Sequence, residues 1–260
     1  FSLSCIHINH GLREASVQEE GFVQSLAHAY KVPLQIRRIE VIRKGNLEEA
    51  ARTARYQVFD ETLFSSRANV LALAHHAGDQ AETVLMHLMR GAGLDGVSGM
   101  AEFRPPYWRP LLLCSQSMLK NYLKELDIPF VLDESNLDTR FLRNHLRRNV
   151  FNQLEEKAPG AILRIAQTAQ VLHDENRLLT KLEDAWLSRF ARIQPPFLYL
   201  LTKPFLNEKA ALQRRLLRRL TGILEIGLDF KQTERLRMQL LQESPGSFNL
   251  PGNATAVLTP

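Results

Sequence analysis

The stretch LALAHHAGDQAETVLMHLMRG, Leu71 to Gly91, decides how the chain is read. It opens with small and apolar residues that suit a buried strand. It stops at two histidines, a glycine and an aspartate. It then continues with helical spacing, placing Glu82 and Thr83 in the first turns. Asp79 and Glu82 are three residues apart on a helix that starts near Gly78, so they face the same side. Thr83 follows one turn after Asp79.

Working outward, the same strand-then-helix grammar recurs. LSCIHIN (Leu3 to Asn9) reads as a strand, followed by a turn at His10-Gly11. Ser16 to Tyr30 has helical periodicity, and LQIRRIEV (Leu34 to Val41) is a second strand. Asn46 suits an N-cap, with Glu48 and Glu49 placed to favour the helix dipole of a segment running to about Ser65. NVLALAH then forms a third strand. Strands alternating with amphipathic helices predict an α/β fold with a parallel, doubly wound sheet covered on both faces. Such sheets bind ligands at the carboxyl ends of their strands. His7–Arg13 and His75–Glu82 both lie at such ends, so one site is fed by two loops.

Downstream, GAGLDGVSGM (Gly91 to Met100) is a glycine-rich connection. RPPYWRPLL (Arg104 to Leu112) is a proline-broken loop with short strands. Ser115 to Leu126 is helical, IPFVLDESN is a short strand and loop, and Thr139 to Glu156 is an arginine-rich helix. Past Pro159 the alternation ceases. Ala161 to Phe190 reads as one long helix or two abutting ones, PPFLYLL interrupts it, and helices follow at 208–220 and 230–242. FNLPGNATAVL reads as a closing hairpin turning near Pro251-Gly252. The expected organisation is a catalytic domain over 1–155, a helical linker over 156–191 and a small, mostly helical domain over 192–260.

The chain has 260 residues, 45% of them hydrophobic, ample for one large domain or two smaller ones. No apolar run reaches the ~18–20 residues that span a bilayer. Cys5 and Cys114 are the only cysteines and lie far apart, which suits a reduced, cytoplasmic protein and excludes a CxxC centre. The net charge of +5 permits a nucleic-acid partner without requiring one.

The chemistry of residues 75–83 admits several readings. Carboxylates at a strand's carboxyl end can hold Mg²⁺ through water and phosphates, or a substrate ammonium group. His75 and His76 can donate hydrogen bonds to a phosphate. A lone acidic residue in a first helical turn more often serves only the dipole; the group at a ligand-binding edge tips the reading to function. A zinc hydrolase using His75, Asp79 and Glu82 is a weaker reading, because the pattern is not H-E-x-x-H and no further ligand is evident.

The segment AHHAGDQAETVLMHLMRGAGLDGVSGM resembles the HHxxDxxET region of the N-type ATP pyrophosphatases of the PP-loop superfamily, specifically the tRNA(Ile)-lysidine synthetase family. HINHGLR (His7 to Arg13), LEEAARTARYQVF (Leu47 to Phe59), RPLL (Arg109 to Leu112), DESN (Asp133 to Asn136) and RNHLRRNV (Arg143 to Val150) resemble further motifs of that family in the same order. ALQRRLLRRL and LPGN resemble its small domain. Two departures stand out. The family's SGGxDS phosphate loop is not in this sequence, so the first strand, that loop and its helix are expected to be missing upstream of Phe1. Gly78 stands where the family commonly has an aspartate.

The resemblance implies an adenine-nucleotide-hydrolase-like fold and a ligase using ATP and Mg²⁺. It would adenylate the first anticodon cytidine of an isoleucine tRNA with anticodon CAU and then attach free lysine. It implies catalytic roles for His75, Asp79, Glu82 and Thr83, with Asp79 and Glu82 candidates for Mg²⁺ or lysine. It places His10, Gly11, Arg13 and His76 near ATP. For tRNA it singles out Arg104, Arg109, Arg143, Asn144, Arg147, Arg214 and Arg218. Arg140, Arg143, Arg147 and Arg148 share one helical side; Arg214, Arg215, Arg218 and Arg219 lie between core leucines, where a solvated basic face is an equal reading. Tyr107 and Trp108 could stack on a base, but the preferred reading has Trp108 filling a core gap. The oligomeric state is open, a homodimer included. A sulfur-transferring relative and a tRNA-binding fragment without catalysis are the rivals.

Overall fold

The computed structural model describes residues 2–9, 15–39, 47–131 and 142–258. These fall into two compact units, Phe1–Leu172 and His173–Pro260, with the division inside one long helix. The expected roles of His10, Gly11, Arg13, Asn46, Arg140 and the DESN segment lie outside the described residues, as do the side chains of Glu48 and Glu49.

In the first unit, β1 (Cys5–Asn9), α1 (Ala15–Ala29) and β2 (Leu34–Arg38) form a parallel strand–helix–strand unit, in register from Cys5 opposite Leu34 to Asn9 opposite Arg38. Asn9 ends β1 inside the fold, where its amide donates to Glu20 of α1 at 2.8 Å. Arg38 Nη2 donates to the other oxygen of Glu20 at 2.8 Å, which holds that carboxyl below its usual range. One polar cluster, buried at Asn9 and Glu20 and open to solvent at Arg38, thus ties the strand ends to the helix between them.

Helix α2 (Leu47–Ser66) leads to β3 (Leu71–Ala72), which pairs in parallel with β5 (Tyr107–Trp108); β5 pairs antiparallel with β4 (Phe103–Arg104). The strand expected over NVLALAH is therefore a two-residue ladder, because its partner hairpin is equally short. Helix α3 (Ala77–Met89) follows, and α4 (Leu94–Val97) forms a single turn in the glycine-rich connection. Gly99 closes that connection with φ +65°, and an added Cβ would fall 2.7 Å from the Gln80 side-chain oxygen. Gln80 is buried there, accepting from Met100 N at 2.8 Å and donating to Met100 O at 3.0 Å. A side chain at 99 would displace the clamp that fixes α3 to this loop.

Helix α5 (Gln116–Glu125) is capped by Ser115. The helix expected over 139–156 is described as α6 (Leu142–His145), a π turn over Leu146–Val150 and α7 (Phe151–Lys157). Leu146 and Phe151 pack on Ala81 of α3, with Leu85, Met86, Ile162 and Ile165 around them. Ala77 and Ala81 are fully buried, and their small side chains let the arginine-bearing segment approach the first turns of α3 closely.

Helix α8 (Ala161–Phe190) is a single helix. In the second unit its last turns carry Trp186 and Leu187 into a core built with Phe205 of α9 (Thr202–Leu206), Leu216, Leu217 and Leu220 of α10 (Ala210–Ile223), and Leu236 and Leu240 of α11 (Phe230–Leu241). A hairpin, β6 (Ala191–Gln194) and β7 (Phe197–Leu200), stands where PPFLYLL broke the helical pattern. The expected closing hairpin is β8 (Gly246–Asn249) and β9 (Thr255–Leu258). Among the described residues no helix is long and apolar enough to cross a membrane.

Candidate active site

His76 is the N-cap of α3. Its Nδ1 accepts from Gly78 N at 3.0 Å, and Asp79 Oδ2 accepts from His76 N at 2.9 Å, closing a reciprocal capping box. Nδ1 must be unprotonated to accept, so the neutral ring carries its proton on Nε2. Gly78 makes this possible: an added Cβ would lie 2.7 Å from His76 Cε1. An aspartate at 78 would have to turn the imidazole out of its capping position, so the glycine and the histidine cap form one local solution. Thr83 Oγ1 donates to Asp79 O at 2.8 Å, the bond of a hydroxyl to the preceding turn.

The two acidic side chains meet the arginine helix. Arg147 Nε donates to Glu82 Oε1 at 2.6 Å and Arg147 Nη2 donates to Asp79 Oδ1 at 2.9 Å. Arg143 Nε lies 3.5 Å from Glu82 Oε2, an oxygen that makes no hydrogen bond. Glu82 is 1% exposed. Burial pushes its carboxyl above the usual range, while the bond and charge of Arg147 pull it back. Burial also opposes the charge on Arg147, and its bond to Glu82 overcomes that, raising the guanidinium further. The 2.6 Å contact is a charge-assisted hydrogen bond of the strong kind.

His75 stands behind this cluster, with Nδ1 buried and unbonded. Burial lowers its pKa to about 4, against the attraction of Asp79 and with the repulsion of Arg109, Arg52 and Arg143. Burial lowers His76 as well. Both rings are neutral at physiological pH, and that of His76 acts as a hydrogen-bond acceptor. In the unfolded chain each would titrate near 6.5. Below that value the unfolded state binds more protons, so this contribution to stability is complete above pH 6.5 and is lost as pH falls toward 4. Urea unfolding is expected to show a loss of roughly 2–3 kcal/mol between pH 7 and pH 4 from His75, and a His75→Asn variant should lose less over the same interval. Equal losses in the two proteins would contradict the assignment.

A cleft of about 400 Å³ opens beside the cluster, lined by His76, Gly78, Glu82, Ser115, Arg147 and Phe151 among others. Residues at the starts of α3, α5 and α8 all line it. Glu155 already accepts from Gly160 N and Ile162 N at the start of α8, and the first N–H groups of α3 are taken by Cys114 O and the His76–Asp79 box, so α5 offers the less committed end. Helix N-termini favour anions. As a metal site the cluster does not fit: Arg147 takes one oxygen of each carboxylate, and among the described residues no group of three or more His, Cys, Asp or Glu side chains could hold a metal ion.

The remaining expected tRNA residues are scattered. Arg109 is buried, donating to Ala101 O at 3.0 Å and to Tyr56 Oη at 3.4 Å, so its guanidinium is held inside the fold. Arg104 is exposed and Asn144 half-buried. Trp108 does not fill a core gap: it is 43% exposed and lies opposite Phe103, also exposed, across the β4–β5 hairpin. In the second unit Arg214 donates to Glu234, Arg215 to Glu183, and Arg219 to Glu183 and Asp184. Arg218 is half-buried and also engaged. Sequence reading missed Gln80, which anchors α3 and stands at an unspecified position of HHxxDxxET, and Glu155, which belongs to no recognisable motif. The carboxylate role of Arg147 was missed too, although its helical side was signalled by the spacing from Arg143.

A strand edge thus feeds a capped helix of an α/β unit, with paired carboxylates and an arginine beside a cleft of helix N-termini. The chain belongs to the PP-loop domain family, which matches residues 1–154. Its relatives are tRNA(Ile)-lysidine synthases. It is 36% identical over 258 residues to that of Geobacter sulfurreducens, covering 94% of this chain and 55% of the relative. It is 38% identical to that of Pseudomonas aeruginosa, covering 70% and 41%, and 39% identical to that of Chromobacterium violaceum, covering 68% and 41%. The chain thus spans about half the length of the curated relatives it matches. Among solved structures, the U34-tRNA thiolase NcsA from Methanococcus maripaludis with its [4Fe-4S] cluster shares the fold, with a TM-score of 0.52 at 13% identity over 66% of this chain and 63% of that one.

Proposed function

We propose that this chain is the catalytic and small-domain part of a ligase that joins lysine to the first anticodon cytidine of isoleucine tRNA with anticodon CAU. The observation that carries the reading is the Asp79–Glu82–Arg147 cluster beside a cleft at the start of α3, in a chain similar over nearly its whole length to a tRNA(Ile)-lysidine synthase. In the first step the cytidine O2 attacks the α-phosphorus of ATP and diphosphate leaves. In the second the neutral lysine Nζ attacks C2, the C2–O2 bond breaks, AMP departs with O2, and the nitrogen loses its proton.

Each residue has a part. The backbone N–H groups at the start of α5 and the imidazoles of His75 and His76 face phosphate oxygens. His10, Gly11 and Arg13, outside the described residues, are assigned to ATP on the resemblance alone. Asp79 and Glu82 receive the ammonium form of the incoming lysine, which passes a proton to Glu82 Oε2, the acceptor not already bonded, so that Nζ attacks in its neutral form. Thr83 and Arg147 position them. Magnesium is the counter-ion of ATP rather than a resident of the carboxylates. Arg104, Trp108, Phe103, Arg143 and Asn144 contact tRNA, and residues 192–260 form the small tRNA-binding domain, joined by 156–191. The setting is cytoplasmic. The thiolase alternative gains nothing from the cysteines: both are free, and burial pushes the Cys5 thiol up, away from a reactive thiolate.

The test uses this chain extended at Phe1 by the strand and SGGxDS loop of a lysidine synthase. AMP release from magnesium-ATP should require both lysine and isoleucine tRNA. Release that ignores lysine would overturn the reading.

A further inference from the structure

The arginines of α10 are drawn inward to carboxylates, yet the second unit has another basic surface. The β6–β7 hairpin pairs Arg192 with Tyr199 and Gln194 with Phe197 across its antiparallel ladder. Strand alternation puts these four side chains on one face, and all four are exposed, Phe197 at 63% and Tyr199 at 56%. The opposite face carries Ala191, Leu198 and Leu200 onto the core of the unit, which holds the ribbon in place. Beside the exposed face is a groove of about 440 Å³, lined by Arg189, Arg192, Gln194, Tyr199 and Leu201. Among the described residues Arg189 and Arg192 form no ion pair.

We propose that this ribbon is a docking surface for RNA, gripping unstacked bases on Tyr199 and Phe197 and the backbone with Arg189 and Arg192. The inference rests on the tRNA reading for the identity of its partner, and it moves the small domain's RNA contact from α10 to the hairpin. Three physical points carry it. An uncompensated pair of guanidinium groups attracts a polyanion, whereas Arg214, Arg215 and Arg219 are already neutralised by Glu234, Glu183 and Asp184. Aromatic faces left in water beside arginines accept nucleobases by stacking, which works for any base with a free face. A rigid ladder sets two rings on one face without an ordering cost at binding. Gln194, next to Phe197, supplies both a donor and an acceptor for a base edge.

The experiment measures binding of this chain to two probes by fluorescence anisotropy: an unstructured pyrimidine oligoribonucleotide and a blunt RNA duplex. The single strand should bind more tightly than the duplex. The double variant Phe197→Ala/Tyr199→Ala should weaken single-strand binding about tenfold or more, while Tyr199→Trp keeps it. The double variant Arg189→Ala/Arg192→Ala should reduce the slope of log affinity against log salt by about one or more. Circular dichroism on each variant establishes that the unit is folded. No RNA binding by the parent chain, or unchanged affinity and slope in the folded variants, overturns the inference. So does a change confined to sedimentation, which would make the ribbon a contact between two copies. Lysine transfer by the extended chain at saturating tRNA is read separately: its survival in the ribbon variants, with weakened RNA binding, supports the ribbon, and its absence in the parent strikes the ligase reading alone.

Discussion

Replacing Arg147 with alanine is expected to cost roughly 2–4 kcal/mol of stability and to reduce lysine transfer by the extended chain at least a hundredfold. The residue bonds two carboxylates at once, and one of them, Glu82, is 1% exposed. Without the guanidinium that carboxylate keeps only the more distant Arg143 at 3.5 Å. Burial already pushes Glu82 up, and the opposing pull of Arg147 would be gone. The folded state would then hold a proton that the unfolded chain releases near its ordinary value. The variant's deficit should therefore grow as pH rises through the raised Glu82 pKa and shrink as pH falls toward 4.5, which urea unfolding at pH 5 and pH 8 would reveal. Arg147→Lys should recover part of the stability and little of the activity, because an ammonium cannot reproduce the fork that reaches both oxygens. A deficit that does not vary with pH would separate Arg147 from Glu82.

The second large effect lies in the other unit. Glu183→Ala is expected to destabilise it by about 3 kcal/mol, because Glu183 is buried and bonded to Arg215 and Arg219. The side chain of Arg215 is itself only 10% exposed, so the substitution strands a charge inside the fold. The double variant Glu183→Met/Arg215→Met should recover most of the loss, since apolar side chains of similar volume fill the space without unpaired charge. Equal losses in the single and double variants would mean that the bonds of the ion pair itself, rather than a stranded charge, are what the substitution removes.

These two networks also mark where sequence stopped being informative. The helices were legible because their signals are local: the 3.6-residue spacing of α8, the Asp229–Gln232 capping box of α11 and the His76–Asp79 turn of α3 all lie within a few residues. The carboxylates of α3 were legible for the same reason. Their partner was not, because Arg147 is 65 residues from Glu82 and reaches it only through the packing of Leu146 and Phe151 on Ala81. The α10 arginines look like one basic stripe in the sequence. In the fold they divide among acids on α8 and α11, elements whose approach no local pattern encodes. Trp108 misled because a tryptophan in an apolar stretch usually fills a core; the two-residue ladder with Phe103 turns it outward instead. The β6–β7 ribbon was passed over as a break in the helical pattern, although its alternation of exposed and covered residues is present in the order of the side chains.

The account stands most directly on incorporation of labelled lysine into isoleucine tRNA by the chain extended with a strand and SGGxDS loop, supplied with magnesium-ATP. It predicts label in the tRNA with anticodon CAU, none when the first anticodon cytidine is replaced by uridine, and none with Asp79→Ala or Glu82→Ala. Stable tRNA binding with no lysine transferred, or transfer that survives both carboxylate substitutions, would contradict it.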